Sequence, residues 1–334
     1  MKSPLTGKEM KLAIEPRAEE FRKESFTIFH HSFLCEDTLE QFTTTELDEI
    51  NTNQIYNQYR HKHNLPFPDE IIAIRENYGL PATKMSEILG FGVNVYRNYE
   101  NGEVPSESNA RLIQMAKSPT QFIHLIELNT NLAPEAKSKY IAKIEPLTKS
   151  PRLNRAKMVE AFLLDASAPN EYTGYRKPNL AKFTEMVKFF TREMKPYKTK
   201  LNKLLFYADF LSFKKTGYSI SGMTYYAIDL GPVPQNFNGI FEHITQEDEV
   251  DVMTTQFGTN AIGEQFLPNE KNPFSAELFT GNELDVLEMV TQKFRRTSTH
   301  DIVEISHTEA AWMNNKTIKG KISYQDYGFE IAAI

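Results

Sequence analysis

A single cysteine, Cys35, occurs in 334 residues, so the chain forms no internal disulfide and cannot build a four-thiolate metal cage. Long apolar runs are missing. None approaches the roughly 18 residues that a membrane-spanning helix needs, and the opening Met1-Lys2-Ser3-Pro4-Leu5-Thr6-Gly7 lacks the apolar core of a secretory signal. These absences point to a cytoplasmic protein with no membrane partner. A basic excess is also lacking: the net charge is −6, so any binding of a polyanion must rest on a local arrangement of side chains. No internal repeat or low-complexity segment is visible.

What is present is an ordinary globular composition, 40% hydrophobic and 12% aromatic, which excludes wholesale disorder. The length implies two or three domains, because one core seldom grows far beyond about 250 residues. Residues 1–65 read as a small β-rich domain, with Phe21, Phe26, Ile28 and Phe33 spaced among Thr, Ser and His as in half-buried strands. A helix is expected from Thr45 to Tyr59 or Arg60, with Pro66 and Pro68 at the boundary. Residues 66–130 carry short helical patterns punctuated by Gly79, Gly90 and Asn101-Gly102, with Thr83, Ser106 and Ser118-Pro119 as expected starts. Residues 131–175 are broken by Pro134, Pro146, Pro151 and Pro169 and read as a partly ordered connector.

Residues 176–334 hold two strong helical patterns, Phe183/Val187/Phe190 and Leu201/Leu204/Leu205/Ala208/Leu211. A strand is expected over Ser219–Leu230, closed by Gly231-Pro232-Val233-Pro234. Helices are expected after Gly281 and over Ile302–Trp312. The expected class is α+β, mainly α, with a β-rich N-terminal domain, a helix-turn-helix bundle and a helical C-terminal domain with a short β element.

Two short helices joined by a glycine turn have the shape that enters a DNA major groove. The second should display Asn94, Tyr96, Arg97 and Asn98 over buried Val93, Val95 and Tyr99, with Lys84 as a further DNA-binding residue. Asn pairs bidentately with adenine, and Arg with guanine or phosphate. The alternative is that these are solvated positions on a small helical bundle. Between His61 and Thr120 six Lys and Arg face seven Asp and Glu. With so little phosphate neutralisation, DNA binding would be weak or would need a homodimer.

The segment Gly90-Phe91-Gly92-Val93-Asn94-Val95-Tyr96-Arg97-Asn98-Tyr99-Glu100 resembles the turn and recognition helix of MqsA-type antitoxins. The resemblance implies base reading by Asn94. The family's second reader, an Arg just before the Tyr-Glu pair, is Asn98 here, and Arg97 stands one residue earlier. The same family carries an N-terminal zinc domain with two Cys-x-x-Cys pairs. Here Ser3-Pro4-Leu5-Thr6 and Cys35-Glu36-Asp37-Thr38 stand in their places, so no metal is expected. His30, His31, His61 and His63 are the alternative ligands to group with Cys35. Otherwise Leu12, Phe21, Phe33 and Phe42 supply a small metal-free core.

The run Lys200-Leu201-Asn202-Lys203-Leu204-Leu205-Phe206-Tyr207-Ala208-Asp209-Phe210, the strand Thr224 to Leu230 with its Gly231-Pro232-Val233 turn, and His307-Thr308-Glu309-Ala310-Ala311-Trp312 together resemble the SocA-like Panacea domain. The resemblance spans about residues 180–327 and implies an antitoxin that neutralises a cognate protein toxin by direct contact. Tyr207, Tyr225, Tyr226, Lys195, Lys198 and Lys203 are the expected toxin contacts, within a basic face that also includes Lys182, Lys188, Arg192 and Lys200. The plainer alternative makes the aromatics core and the lysines a solvated face. Asp209, Asp229, His307 and Glu309 are acid–base residues on paper, but no nucleophile elbow, phosphate loop or metal spacing accompanies them. The expected protein is therefore an antitoxin without cofactor, partnered by a toxin and by operator DNA. A DNA-binding repressor is the second reading and a proteolytic adaptor the third.

Overall fold

The computed structural model describes residues 1–149, 155–164, 168–257 and 261–334. Strands β1 (Lys11–Phe21), β2 (Glu24–Leu34) and β3 (Gln41–Phe42) come first, then the long helix α1 (Thr45–His63). Six helices follow: α2 (Pro68–Asn77), α3 (Ala82–Leu89), α4 (Val95–Glu100), α5 (Glu107–Met115), α6 (Pro119–Leu128) and α7 (Pro134–Thr148). Next come α8 (Arg155–Leu163), α9 (Leu180–Met194), α10 (Lys198–Thr216), β4 (Tyr225–Ile228), β5 (Gly231–Pro234) and α11 (Phe237–Gln246). The chain closes with β6 (Val250–Phe257), β7 (Ala261–Pro268), α12 (Gly281–Phe294), α13 (Thr299–His307), α14 (Ala310–Met313), β8 (Lys321–Ile322) and α15 (Tyr324–Tyr327). The class is α+β, mainly α. Among the described residues no helix is long and apolar enough to cross a membrane.

The chain forms two compact units, Met1–Gln54 with Val159–Ile334, and Ile55–Met158. In the first, β1 and β2 pair antiparallel along their whole length, and β3 adds a short third strand. The Asn51 and Gln54 side chains on α1 pair with the backbone of β2. Asn51 accepts from the His31 amide (2.8 Å) and donates to its carbonyl (3.0 Å), and Gln54 does the same for Phe29 at 2.8 Å each. Helix positions three apart share a face, and strand residues two apart share an edge, so two amides on one helix cover one strand edge. The core of this sheet differs from the expected one. Met10, Phe26, Ile28 and Cys35 are buried, whereas Leu12 is 51% exposed and Phe21, Phe33 and Phe42 are only half-buried.

The C-terminal part is built around α10, which is buried on every side from Lys200 to Phe213. Sheet β5-β4-β8 lies in the same unit, and β6 and β7 form a separate hairpin. The expected strand over Ser219–Leu230 contracts to β4, because the Ile220 and Ser221 amides are bound by the Asp209 carboxylate instead of a ladder partner. The expected helix over Ile302–Trp312 starts earlier, capped by Ser298, and breaks into α13 and α14 at Thr308 and Glu309. Thr280 and Glu283 form a reciprocal capping box that starts α12. Helices α7 and α8 occupy the expected connector, with Pro146 inside the last turn of α7; Pro151 lies outside the described residues.

In the second unit Ile71, Met85, Tyr96, Ile113, Phe122 and Ile126 are fully or almost fully buried. Ser106 caps α5 by accepting from the Asn109 amide at 3.3 Å. Thr83 caps nothing, because Pro81 holds the N-cap position of α3. Helix α4 starts two residues later than Val93. The side chain of Ser86, buried on α3, accepts from the Tyr96 amide (3.0 Å) and so satisfies a free donor of its first turn.

Candidate functional site

Helix α10 carries three polar groups that organise the C-terminal domain. Asp209 is wholly buried. Its carboxylate accepts from the Ile220 amide (2.8 Å), the Ser221 amide (2.8 Å), the Ser221 hydroxyl (2.5 Å) and the Tyr225 hydroxyl (2.8 Å). Burial pushes its carboxyl up, and the Ser221 and Tyr225 donors oppose that shift. Six residues earlier on the same helix, the Lys203 ammonium donates to the Pro232 carbonyl at 2.8 Å, and burial pulls its pKa down to about 7. Gly231 sits above it at φ +91°, where a Cβ would lie 2.5 Å from Ser306 Oγ and 2.6 Å from Lys203 Cε. The Gly-Pro turn is thus fixed both by its backbone angle and by the lysine beneath it.

Between them Tyr207 donates to Glu309 at 3.3 Å, and its ring stacks on Phe294. Nearby, His307 stacks on Trp312 at 3.8 Å and 12°, and the Trp312 indole donates to the Ile228 carbonyl at 2.8 Å. Burial lowers the His307 pKa.

These contacts correct the expected toxin face. Tyr207, Tyr225 and Lys203 are fully buried and committed to core partners, so they present nothing to a partner protein. Most of the expected basic face is neutralised within the unit. Lys182 pairs with Glu283, Lys188 with Glu185 and Glu249, Arg192 with Glu193, and Lys198 with Glu264. Lys200 donates to the Phe294 and Thr297 carbonyls. Of the six named contacts Lys195 is exposed, and Tyr226 and Lys198 are half-exposed. The paper acid–base set does not assemble. Asp209 is enclosed, the Asp229 carboxylate pairs with Lys319 (2.9 Å), and Glu309 accepts backbone amides.

In the other unit α3 and α4 meet at a left-handed turn at Gly90. Asn94, Arg97 and Asn98 lie exposed on one side of α4, and Lys84 is exposed beside its partner Glu87 (2.7 Å). Tyr96 is the correction here: it is fully buried and its hydroxyl donates to the Ile71 carbonyl at 2.8 Å. Val93, expected inside, is 73% exposed next to Asn94. The reason is geometric. Val93 precedes the helix instead of forming part of it, so the inward positions are Tyr96 and Tyr99.

At the N-terminus two turns of identical design face each other. The Ser3 carbonyl accepts from the Gly7 amide (2.9 Å) and the Ser3 amide donates to the Lys8 carbonyl (2.7 Å). The Cys35 carbonyl accepts from the Leu39 amide (2.8 Å), and the Cys35 amide donates to the Glu40 carbonyl (2.9 Å). Gly7 and Leu39, at equivalent places, are both left-handed, at φ +72° and +59°. Ser3, Thr38 and Thr6 hydrogen bonds converge on the Cys35 sulfur and lower its pKa to about 6, Ser3 contributing most. The four side chains therefore meet, but three are neutral hydroxyls already engaged in hydrogen bonds. That donor set does not fit tetrahedral zinc, which takes thiolate, imidazole or carboxylate. His31 is not grouped with Cys35; its ring contacts Phe329 and the Phe29 carbonyl.

Residues 201–313 match the family described as antitoxin SocA-like, Panacea domain. The matched stretch begins in α10 and ends with α14, and so contains Lys203, Asp209, Gly231, Glu309 and Trp312. No curated protein matches the chain.

Proposed function

We propose that the chain is an antitoxin that neutralises a cognate protein toxin by direct binding through its C-terminal domain. The observation that carries this reading is the SocA-like Panacea match over 201–313, within which the buried Asp209 and Lys203 are spent on holding the fold. Asp209 and Lys203 are consumed internally, so a partner can be met only by the surface that the domain presents. Within it Tyr226 and Lys195 are the contacts we assign first, since aromatic and cationic residues anchor interfaces when they can reach the partner.

A second role is favoured by the side of α4 that carries Asn94, Arg97 and Asn98. We assign α3–α4 as a helix-turn-helix of the MqsA type that binds operator DNA as a homodimer. The near-balanced charge between His61 and Thr120, where α3 and α4 lie, makes the second copy necessary for useful affinity. The paired turns at Ser3 and Cys35 support the same assignment for the N-terminal region.

The test is co-expression with the product of the adjacent gene. Growth rescue and co-purification are the expected results. Promoter binding without rescue or co-purification would make the protein a repressor and remove the antitoxin reading.

A further inference from the structure

The hairpin of β6 and β7 has two edges, and they are treated differently. On the β7 side the Phe266 amide donates to the Pro196 carbonyl at 2.9 Å, and Tyr197 forms a bridge with Gln265. On the β6 side no strand is paired among the described residues. The bond to Pro196 also fixes which way the β6 backbone faces. Opposed residues of an antiparallel pair alternate between hydrogen-bonded and non-bonded. Phe266 turns its N–H away from β6, so its partner Val252 stands in a non-bonded pair. The same holds two and four residues further on, for Thr254 opposite Glu264 and Gln256 opposite Ile262. The amides and carbonyls of Val252, Thr254 and Gln256 therefore point out of the hairpin.

Proteins protect such an edge with proline, lysine, a bulge or a very short strand. Strand β6 has none of these. It runs for 8 residues in unbroken register with β7, and Asp251 is its one charge. Met253, Thr254, Gln256 and Phe257 are exposed, Met253 at 48% and Phe257 at 49%. What fits the edge is set by its own sequence. The run Asp251–Phe257, which follows the buried Val250, is centred on Thr254. An antiparallel copy of the same strand can lie across it with Thr254 on a two-fold axis. The outward groups then meet, Thr254 facing Thr254 and Val252 facing Gln256. Asp251 falls opposite Phe257, so the one charge does not oppose itself, and Met253 falls opposite Thr255. A threonine pair on the axis and the absence of facing like charges favour this register.

We propose that β6 is a homodimerisation edge, at which two copies of the chain pair their β6 strands antiparallel and join two hairpins into one four-stranded sheet. A two-stranded hairpin is marginal by itself, and the added strands relieve that. A second copy is the occupant because the edge is complementary to itself in both hydrogen bonding and charge. Met253 and Phe257 of both copies then share one face of the sheet. This pairing would supply the second copy that operator binding calls for, yet it rests on the strand alone and not on that reading.

The experiment is sedimentation equilibrium of the full chain over roughly 1–100 µM, where a small interface dissociates, with amide exchange followed in parallel. A dimer is expected, and exchange at Val252, Thr254 and Gln256 should slow as the concentration rises. Thr254→Pro removes an outward N–H from each copy and leaves the bonds between β6 and β7 in place, as proline does on an edge strand. It should weaken the dimer at least ~10-fold, through the two hydrogen bonds lost on the axis. Thr254→Lys, at an exposed position, sets two ammonium groups face to face and should weaken it as well; this variant decides if Thr254→Pro does not fold. A wild type that stays monomeric throughout would overturn the proposal. So would a dimer as tight in Thr254→Lys as in the wild type, or one whose Thr254 amide exchanges as fast as in the monomer. A monomer that still binds operator DNA would overturn this interface alone.

Discussion

The Thr6 hydroxyl lies 3.7 Å from the Cys35 sulfur, and each belongs to one of two matching turns. Hydrogen bonds converge on that sulfur where four thiolates would be needed to enclose a metal ion. Two measurements follow. Chelator should leave the melting temperature of the wild type unchanged, because its hydroxyls hold no zinc. The triple variant Ser3→Cys, Thr6→Cys, Thr38→Cys should take up one zinc ion per chain and melt higher with zinc than without. Zinc in wild type purified without added metal, or no uptake by the triple variant, would show that the turns do not have this geometry.

Lys203 supplies a pH test. Burial depresses its pKa from 10.5 to about 7, so between those values the unfolded chain holds a proton that the folded chain has released. Stability from this group therefore rises with pH across about 7 to 10.5, and below about 7 the full cost of burying the charge is present. Lys203→Met removes that cost, a few kcal/mol, while giving up one bond to the Pro232 carbonyl, about 1 kcal/mol. The variant should melt higher than wild type at pH 6, with the advantage shrinking as the pH approaches 10.5. A variant that melts lower at every pH would mean that Lys203 is needed for more than its charge.

How far these features can be read from the sequence depends on whether a neighbour in the chain or a distant residue decides them. Ser106 announces α5 because its partner, the Asn109 amide, lies three residues on, and the helical pattern at Leu201, Leu204, Leu205 and Ala208 reports α10 directly. Burial of Tyr207, Tyr225 and Lys203 could not be read the same way. The Tyr207 hydroxyl finds Glu309 over a hundred residues away, and α10 is apolar on no single face because every face is covered. Asp209 shortens the strand expected over Ser219–Leu230 by taking two amides that such a strand would give to a ladder. A lysine among leucines was the available signal for Lys203. It reads equally as a solvated position until its partner, the Pro232 carbonyl, is placed.

The exposed side of α4 makes separate predictions for neighbouring residues. Asn94→Ala should relax base preference on a promoter fragment, whereas Arg97→Ala should weaken binding to all sequences alike and flatten its salt dependence. Tyr96→Phe, which removes the bond to the Ile71 carbonyl, should cost about 1 kcal/mol of stability and leave DNA affinity unchanged. Band-shift titrations over a salt series, paired with melting curves, separate these effects. If promoter binding survives Asn94→Ala and Arg97→Ala together, this side of α4 does not face DNA.

The last prediction concerns how much chain the C-terminal domain needs. Length alone makes residues 172–334 long enough for their own core. The structure places the N-terminal sheet in the same unit, however, and its contacts are specific. The His31 ring lies 4.9 Å and the Phe29 ring 5.8 Å from Phe329, and the Asn53 side chain donates to the Thr216 carbonyl at 3.0 Å. The Gln325 side chain donates to Gln54 at 3.2 Å. Phe329, 3% exposed, also packs on Phe213 of α10, so removing the sheet opens a path to the central helix. Uncovering the apolar area of two or three large side chains costs roughly 1.5–3 kcal/mol each. For a fragment of this size each kcal/mol lowers the melting temperature by about 2–4 °C. A fragment of residues 172–334 should therefore fold but melt some ~10–20 °C below the full chain's C-terminal transition. Rescue of toxin-expressing cells by this fragment should be strong at low growth temperature and fade on warming. Phe329→Ala in the full chain should reproduce part of the loss. Equal melting of fragment and full chain would show that the N-terminal sheet contributes nothing to the domain it adjoins.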